Sequence, residues 1–375
     1  MRIGYEAKRA FLNTTGLGNY SRGVIKMMTL YYPHNIYFLY TPKTRPGKVN
    51  NFTTPLPATT TVTPTSKLFT ALWRSIFVVK NLKRDGIELY HGLSHELPLG
   101  IHHSGIKSVV TIHDLIFMRF PQYFDFVSRK IYAAKIKYAC KHADKIIAIS
   151  EKTKADLIEL LKVNPTKIET VYQDCDESFK VVQSPEKKNE IKLKYALPLN
   201  FLLTIGTIEE RKNLLLAVKA LTLLPINIQL VVVGKDTAYA DEVKQYIKQH
   251  QLYHRVLFLS DVAFADLPAI YQLAQVFVYP SRYEGFGIPV LEALVSGTPV
   301  IAASGSCLEE AGGPDSLYVE PDDENDLARK INLILTDKVL RQTMVDKGLN
   351  YARKFDNKNL ATQLLNLYKN VLNHA

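Results

Sequence analysis

At 375 residues, with 47% hydrophobic and 22% charged side chains, the chain has the composition of a folded protein long enough for two ordinary α/β domains, which excludes wholesale disorder. Three scattered cysteines, Cys140, Cys175 and Cys307, offer neither a disulfide framework nor metal-ligand spacing, and no run of eighteen apolar residues suggests a membrane span. The net charge of +11 sits in the first half, where residues 1–190 hold 28 Lys/Arg against 16 Asp/Glu while the remainder holds 19 against 20; this favours an anionic partner there, a membrane surface or a nucleic acid.

The amino terminus, MRIGYEAKRA, enters a strand directly and has no signal-peptide core, so a cytoplasmic location is expected. Further strands are predicted at IYFLYT from Ile36, IELY from Ile87, SVVTIH ending at His113 and KIIAIS ending at Ser150. Ser150 reads as the N-cap of the helix that follows, its hydroxyl accepting from a first-turn N–H. Residues 41–66 are rich in Thr and Pro and read as an extended excursion rather than a regular element. Residues 66–84 place Leu68, Leu72, Trp73, Ile76 and Phe77 at helical spacing among basic residues, and residues 124–142 repeat the theme with Arg129, Lys130, Lys135, Lys137 and Lys141; packing of both apolar faces on the domain's own sheet is the alternative.

A polar, lysine-rich stretch from Lys180 to Lys194 marks the expected domain boundary. Beyond it strands are predicted at FLLTIGT from Phe201, IQLVVVG from Ile228, VLFLS from Val256, VFVYPS from Val276 and PVIAAS from Pro299. The pattern then turns helical to the end, with a final amphipathic helix from about Asn359 to Leu372. The fold class is therefore α/β, with two doubly wound parallel-sheet domains and an implied cleft between them. The first is expected to span residues 1–185, completed by a helix at 357–375, and the second residues 186–356.

The segment 279–303, YPSRYEGFGIPVLEALVSGTPVIAA, carries the most chemistry. A buried strand gives way to Glu284-Gly285-Phe286-Gly287, and a helix opens at Ile288-Pro289. Glycines let backbone approach a ligand, and a helix amino terminus offers free N–H groups, which together suit a diphosphate. Glu284 and Glu292 flank this seat and suit sugar or ribose hydroxyls; two surface glutamates beside an ordinary turn remain the simpler alternative. A second strand end, TIGTIEERKN, supplies Arg211 and Lys212 just before Asn213. Cations there oppose the helix dipole, and so call for a reason such as neutralising a departing diphosphate.

Residues 200–321 resemble the donor-binding domain of the retaining glycosyltransferases of family 4, which have the two-domain GT-B fold. EGFGIPVLEA resembles that family's Glu-(seven residues)-Glu motif, which implies Glu284 near the donor hexose and Glu292 at the ribose. The resemblance gives Lys212 and Arg211 to the phosphates, Gly206 to the turn before them, and Phe286, Gly287 and Ile288 to the nucleotide seat, with Glu310 at a further Glu position. In the first half TGLGNYSRG resembles the glycine loop, with Gly16 and Gly18 facing the diphosphate, and TIHDLIF supplies His113 beside the transferred sugar. Two departures stand out: Gln173-Asp174-Cys175 replaces the usual turn, and Ser260 stands where Gly is usual, near the donor base.

The resemblance implies metal-independent transfer of a hexose with retention, from a nucleotide-diphosphate sugar to a glycan or lipid-linked acceptor hydroxyl, with no cofactor. The donor phosphate itself would help deprotonate the acceptor. The general look is similar to bacterial mannosyltransferases of surface polysaccharide assembly, which favours GDP-mannose over UDP-linked sugars. A sugar-nucleotide 2-epimerase is the sister alternative. A dinucleotide oxidoreductase lacks its full glycine fingerprint, and no nucleic-acid motif supports a nucleic-acid partner. A basic, peripheral contact with an anionic membrane is the expected role of the first domain's charge.

Overall fold

The computed structural model describes residues 1–44, 52, 56–65 and 70–373. They form two compact units, one of residues 1–174 with 355–375, the other of residues 175–354. The first unit holds a seven-stranded sheet: β1 Arg2–Glu6, β2 Ile36–Tyr40, β3 Thr59–Val62, β4 Leu89–Gly92, β5 Lys107–Ile112, β6 Lys145–Ala148 and β7 Ile168–Thr170. Its order is β3-β2-β1-β4-β5-β6-β7, and every pairing is parallel. Strands such as IYFLY and KSVVTI are almost continuously buried because helices cover both faces, as an all-parallel sheet requires. The helices of this unit include α1 (Gly16–Tyr31) and α2 (Phe126–His142).

The second unit holds a six-stranded parallel sheet: β8 Phe201–Ile205, β9 Gln229–Val233, β10 Val256–Leu259, β11 Val276–Tyr279, β12 Val300–Ala303 and β13 Leu317–Val319, in the order β10-β9-β8-β11-β12-β13. Helix α3 (Leu214–Leu221) follows β8, and α4 (Ile288–Val295) follows β11. Both sheets therefore reverse direction beside their first strand, between β1 and β4 and between β8 and β11. In open α/β sheets such switch points are where ligands lodge, outside the strand carboxyl ends.

Some elements differ from the sequence expectation. Residues 59–62, read as part of an irregular excursion, form edge strand β3 in parallel register with β2. Its Thr-Thr-Thr-Val run is β-branched but mostly exposed, so it lacks the apolar signature of a buried strand; much of the rest of residues 41–66 lies outside the described residues. Strands β7 and β13 span three residues each, too short to show periodicity. The lysine-rich stretch contains a helix, Pro185–Lys194, capped by the Ser184 hydroxyl, and the chain changes unit upstream of it, at Asp174–Cys175. Ser150 caps the helix Glu151–Leu161 as expected, accepting from the Thr153 N–H. No helix among the described residues is long and apolar enough to cross a membrane.

The final helix, Asn357–Asn373, belongs to the first unit and packs on α1. It buries Leu360, Leu364, Leu365, Leu367, Tyr368 and Val371, each contributing about 1.5–3 kcal/mol if fully removed from water. Tyr368 also closes a buried polar chain: its hydroxyl meets His91 Nδ1 at 2.6 Å, His91 Nε2 meets Thr111 Oγ1 at 2.8 Å, and Tyr20 meets the same Thr111 oxygen at 2.9 Å. Burial pushes the His91 imidazole down to about 3, so it is neutral and needs both partners. Replacing Tyr368 by Phe strands one ring nitrogen, and we expect a loss of about 1–3 kcal/mol, read as a lower urea midpoint with an unchanged slope.

Candidate active site

The carboxyl ends of β8 and β11 are stitched together by their loops. After β8, Gly206 takes a φ of 147°, and its N–H donates to Val233 O at 2.9 Å. The Gly234 backbone presses so close to Gly206 O that a Cβ on Gly234 would lie 1.9 Å from it. The chain then makes a short turn, Glu210–Lys212, and Asn213 enters α3 in a left-handed conformation, φ 57°. Its side-chain amide donates to Pro280 O and Pro321 O, while the Arg282 N–H donates to Arg211 O at 2.9 Å. The Arg211-Lys212 pair is thereby fixed against the segment that follows β11.

Four donors converge on one oxygen of Glu284. Oε1 accepts from the Ser281 hydroxyl at 2.7 Å, the Tyr279 hydroxyl at 3.0 Å and Lys212 Nζ, and Arg211 Nη1 lies 3.0 Å away. Arg211 also donates to Tyr283 O and to Glu209 Oε1, the latter at 2.5 Å. Lys212 Nζ sits 4.9 Å from the Tyr279 ring centroid and 2.5 Å from its hydroxyl. Burial alone would raise the Glu284 carboxyl, but Lys212 and Arg211 outweigh it and hold it well below the usual carboxylate range. Burial likewise works against the Arg211 charge, and Glu284 and Glu209 overcome it. Cys307 Sγ, from the loop after β12, donates to Glu284 O at 3.0 Å.

Gly287 caps α4 with a φ of 119°, a conformation that calls for glycine, and a Cβ there would also press on the Leu308 side chain at 2.8 Å. Pro289 stands in the first turn. The Phe286 ring is buried, so what it can offer a ligand is its main chain, and Ile288 is half-buried. Glu292 is only 8% exposed and takes the Tyr271 hydroxyl on Oε2 at 2.9 Å. Burial pushes its carboxyl up to about 7 against that hydrogen bond. Neither glutamate is thus a surface residue, and the two are tuned in opposite directions. Glu310 lies in the short helix Leu308–Gly312, half-buried.

Gly206, Arg211, Lys212, Glu284, Phe286, Gly287, Ile288 and Glu292 all belong to the second unit; Gly16, Gly18 and His113 belong to the first. Gly16 and Gly18 form the first turn of α1 rather than a loop. A Cβ on Gly18 would lie 1.9 Å from Asn13 O, whereas Gly16 faces open space. His113 immediately follows β5 and is 5% exposed. Its Nε2 meets Leu93 O at 2.9 Å, which makes Nε2 the protonated nitrogen of a neutral ring. Burial and the neighbouring His95 push the imidazole down to about 3. Tyr20 of α1 packs edge-on against it at 4.6 Å. Tyr271, Tyr279, Ser281 and Cys307 went unremarked in the sequence as partners of the two glutamates. Only the position of Tyr279 and Ser281 five and three residues before Glu284 could have suggested them.

Comparison with known proteins gives the family. The description "Glycosyl transferases group 1" matches residues 186–351, and "Glycosyltransferase Family 4" matches residues 34–177. The chain is a family 4 glycosyltransferase. It is 29% identical over 286 residues to an O-antigen chain mannosyltransferase B of Escherichia coli, covering 75% of this chain and 74% of that protein. This glycosyltransferase has the GT-B fold. Among solved structures it is similar to a sucrose-phosphate synthase from Thermosynechococcus elongatus, with a TM-score of 0.78 and 22% identity over all of both chains. It is also similar to Anabaena HepE in complex with UDP and glucose, with a TM-score of 0.76 and 18% identity over 99% and 100%.

The raised Glu292 carboxyl gives this glycosyltransferase a pH signature. Unfolded, the group ionises near 4.5; folded, it holds its proton to about 7. Its favourable contribution is therefore complete below about 4.5 and is lost as pH rises to about 7. Glu292→Gln removes the loss, so we expect the variant to gain stability relative to the parent across that window, on the order of 3 kcal/mol at its limit. Melting temperatures at pH 5 and pH 8 check this: a pH-independent difference would refute it.

Proposed function

We propose that the protein transfers a hexose with retention, mannose from GDP-mannose in the first instance and UDP-linked sugars next, to the hydroxyl of a glycan or lipid-linked acceptor in surface polysaccharide assembly. The observation that carries this reading is the convergence of Arg211 and Lys212 on Glu284 at the β8/β11 switch point, with Glu292 on the helix that follows. The mannosyltransferase relative favours the sugar and its destination. Lys212 and Arg211 take the charge that grows on the departing diphosphate, so no resident metal or cofactor is invoked. Glu284 holds a hydroxyl of the donor hexose and Glu292 the ribose diol. The neutral His113 ring accepts from the transferred sugar, and the donor phosphate takes the acceptor proton on the same face.

Cations aimed at developing charge lower the barrier more than they tighten ground-state binding. We expect Lys212→Met to slow donor-dependent transfer on the order of 10²–10³-fold while the donor still raises the melting temperature. Screening GDP-mannose, UDP-glucose and UDP-N-acetylglucosamine by that shift identifies the donor. Anomeric NMR of the product checks retention, and unaltered turnover in EDTA checks metal independence. Full activity in Lys212→Met would overturn the assignment, and release of an epimerised sugar instead of transfer would point to the epimerase reading.

We further propose that the first unit makes a cytoplasmic, peripheral contact with an anionic membrane. Phe126, Val127, Ile131 and Tyr132 on α2 are exposed, Phe126 to 63%, with Arg129 and Lys130 over the Phe126 ring. Leu72, Ile76 and Phe77 are exposed too, around buried Trp73; Leu68 lies outside the described residues. Packing on the unit's own sheet therefore does not consume these apolar faces. Lysine and arginine beside such a rim contribute about 1 kcal/mol each near anionic headgroups, screened by salt. We expect sedimentation with anionic liposomes at low salt that weakens at high salt; equal sedimentation with neutral liposomes, or none with either, would rule the contact out.

A further inference from the structure

The first unit has a switch point of its own, between β1 and β4. Strand β1 ends at Glu6, and β4 is followed by Leu93-Ser94-His95-Glu96. Glu6 is 3% exposed. Ser94 Oγ donates to its Oε2 at 3.0 Å, but Oε1 is buried without a hydrogen bond; Arg74 Nη1 stands 3.7 Å off, paired instead with Glu96. His95 Nδ1 is likewise buried without a hydrogen bond. The His95 backbone is left-handed, φ 65°, and is held there by its N–H on Thr111 O at 3.0 Å. The turn folds back so tightly that a Cβ on Gly92 would lie 2.1 Å from Glu96 O. The His95 and His113 rings are 5.1 Å apart.

Buried polar atoms without partners destabilise a fold, as does a left-handed residue that is not glycine. Here two such atoms and one such residue meet at strand carboxyl ends, beside the histidine assigned to the transferred sugar. A bound molecule that supplies hydrogen bonds to both atoms explains them. Burial holds the Glu6 carboxyl above its usual range and pushes the His95 imidazole down to about 4, so neither strongly favours a charged ligand. Of the cations around these atoms, Arg74 and Lys135 are committed to Glu96, while Lys8 acts on Glu6 and Arg9 on His95. A hydroxyl can donate to either atom.

We propose that Glu6 and His95 form the acceptor subsite of this glycosyltransferase and take neighbouring hydroxyls of an uncharged pyranose beside His113. The assignment rests on the reading of the protein as a glycosyltransferase and extends it to the acceptor. Ser94 orients the Glu6 carboxyl, and the Arg74–Glu96 pair holds the loop in place. The sugar lies against a carboxyl and an imidazole, groups that select for hydroxyl geometry.

The test uses the full chain and saturation-transfer NMR with the methyl α-pyranosides of mannose, glucose and N-acetylglucosamine as probes, and inorganic phosphate as the competing ligand. Variants Glu6→Gln and His95→Asn keep size, and asparagine tolerates the left-handed backbone. Melting temperature and circular dichroism report whether each variant is folded, and GDP or UDP binding reports in parallel on the donor residues of the second unit. The expected result is that the parent binds at least one pyranoside, that each variant binds it about tenfold or more weakly, and that nucleotide affinity stays within twofold. Variants that bind as the parent does, a parent that binds nucleotide but no pyranoside, or phosphate displacing the pyranoside would each overturn the subsite while leaving the donor reading intact. A parent that binds no nucleotide would overturn the glycosyl-transfer reading itself. Ser94→Ala is the second route should Glu6→Gln fail to fold, and undiminished pyranoside binding there would also count against the proposal.

Discussion

Glu284 is the residue on which the second unit's functional end depends, because one carboxylate oxygen collects Lys212, Arg211, Tyr279 and Ser281 from two different strand ends. Bringing three charged groups out of water is costly, and a buried ion pair of this kind rarely adds net stability over an apolar replacement. Its stabilising part is present above the ordinary glutamate range and would be lost only in strong acid, since the cations hold the carboxyl low. What the arrangement achieves is placement. Both cations are held, before any ligand arrives, where β8 and β11 diverge, with little side-chain freedom left to lose. Gly206, Gly234 and Gly287 serve the same end, each admitting a backbone approach or a φ that another residue would resist.

The two sheets share one strand order but end differently at their switch points. In the second unit the strand ends present cations, paired with a carboxylate that compensates them. In the first they present Glu6, Ser94 and His95, with hydrogen-bonding capacity left over. On the proposed reading, the same topology seats a diphosphate in one unit and sugar hydroxyls in the other. Function here follows from which side chains stand at the reversal, since the fold supplies the position in both cases.

Much of this was legible in the sequence, for definite reasons. A buried parallel strand reads as an apolar run, so β1, β2, β5, β6 and most of the second unit's strands were visible, and the glycine-rich turn into Ile288-Pro289 marked its helix correctly. Edge strand β3 was not, because its solvent-facing threonines lack that run, and β7 and β13 are too short for any period. The two glutamates were legible as a spaced pair, but their environments were not. Only tertiary packing sets Tyr271 against Glu292 and four donors against Glu284, driving one carboxyl up and the other down. His95 carried no sequence signal; its left-handed backbone and stranded nitrogen exist only once Gly92 lets the turn fold back on itself.

The charge of the first half also acquires a structural meaning. Arg74 lies in the same turn as the exposed Ile76 and Phe77, and Lys135 lies on α2, one turn beyond the exposed Ile131 and Tyr132. Both bases end on Glu96, in the loop that carries Ser94 and His95. One carboxylate therefore ties both segments that carry exposed apolar side chains to the loop that shapes the first unit's switch point. On the proposed reading, the Arg74–Glu96–Lys135 network would tie the loop of the acceptor subsite to the segments proposed to meet the membrane. The excess of lysine and arginine then divides into two populations. Those bound to Glu96 fix the loop and contribute little field outward. Those left exposed on α2, Lys130 and Lys137 foremost, are the ones that a salt-sensitive attachment would draw upon.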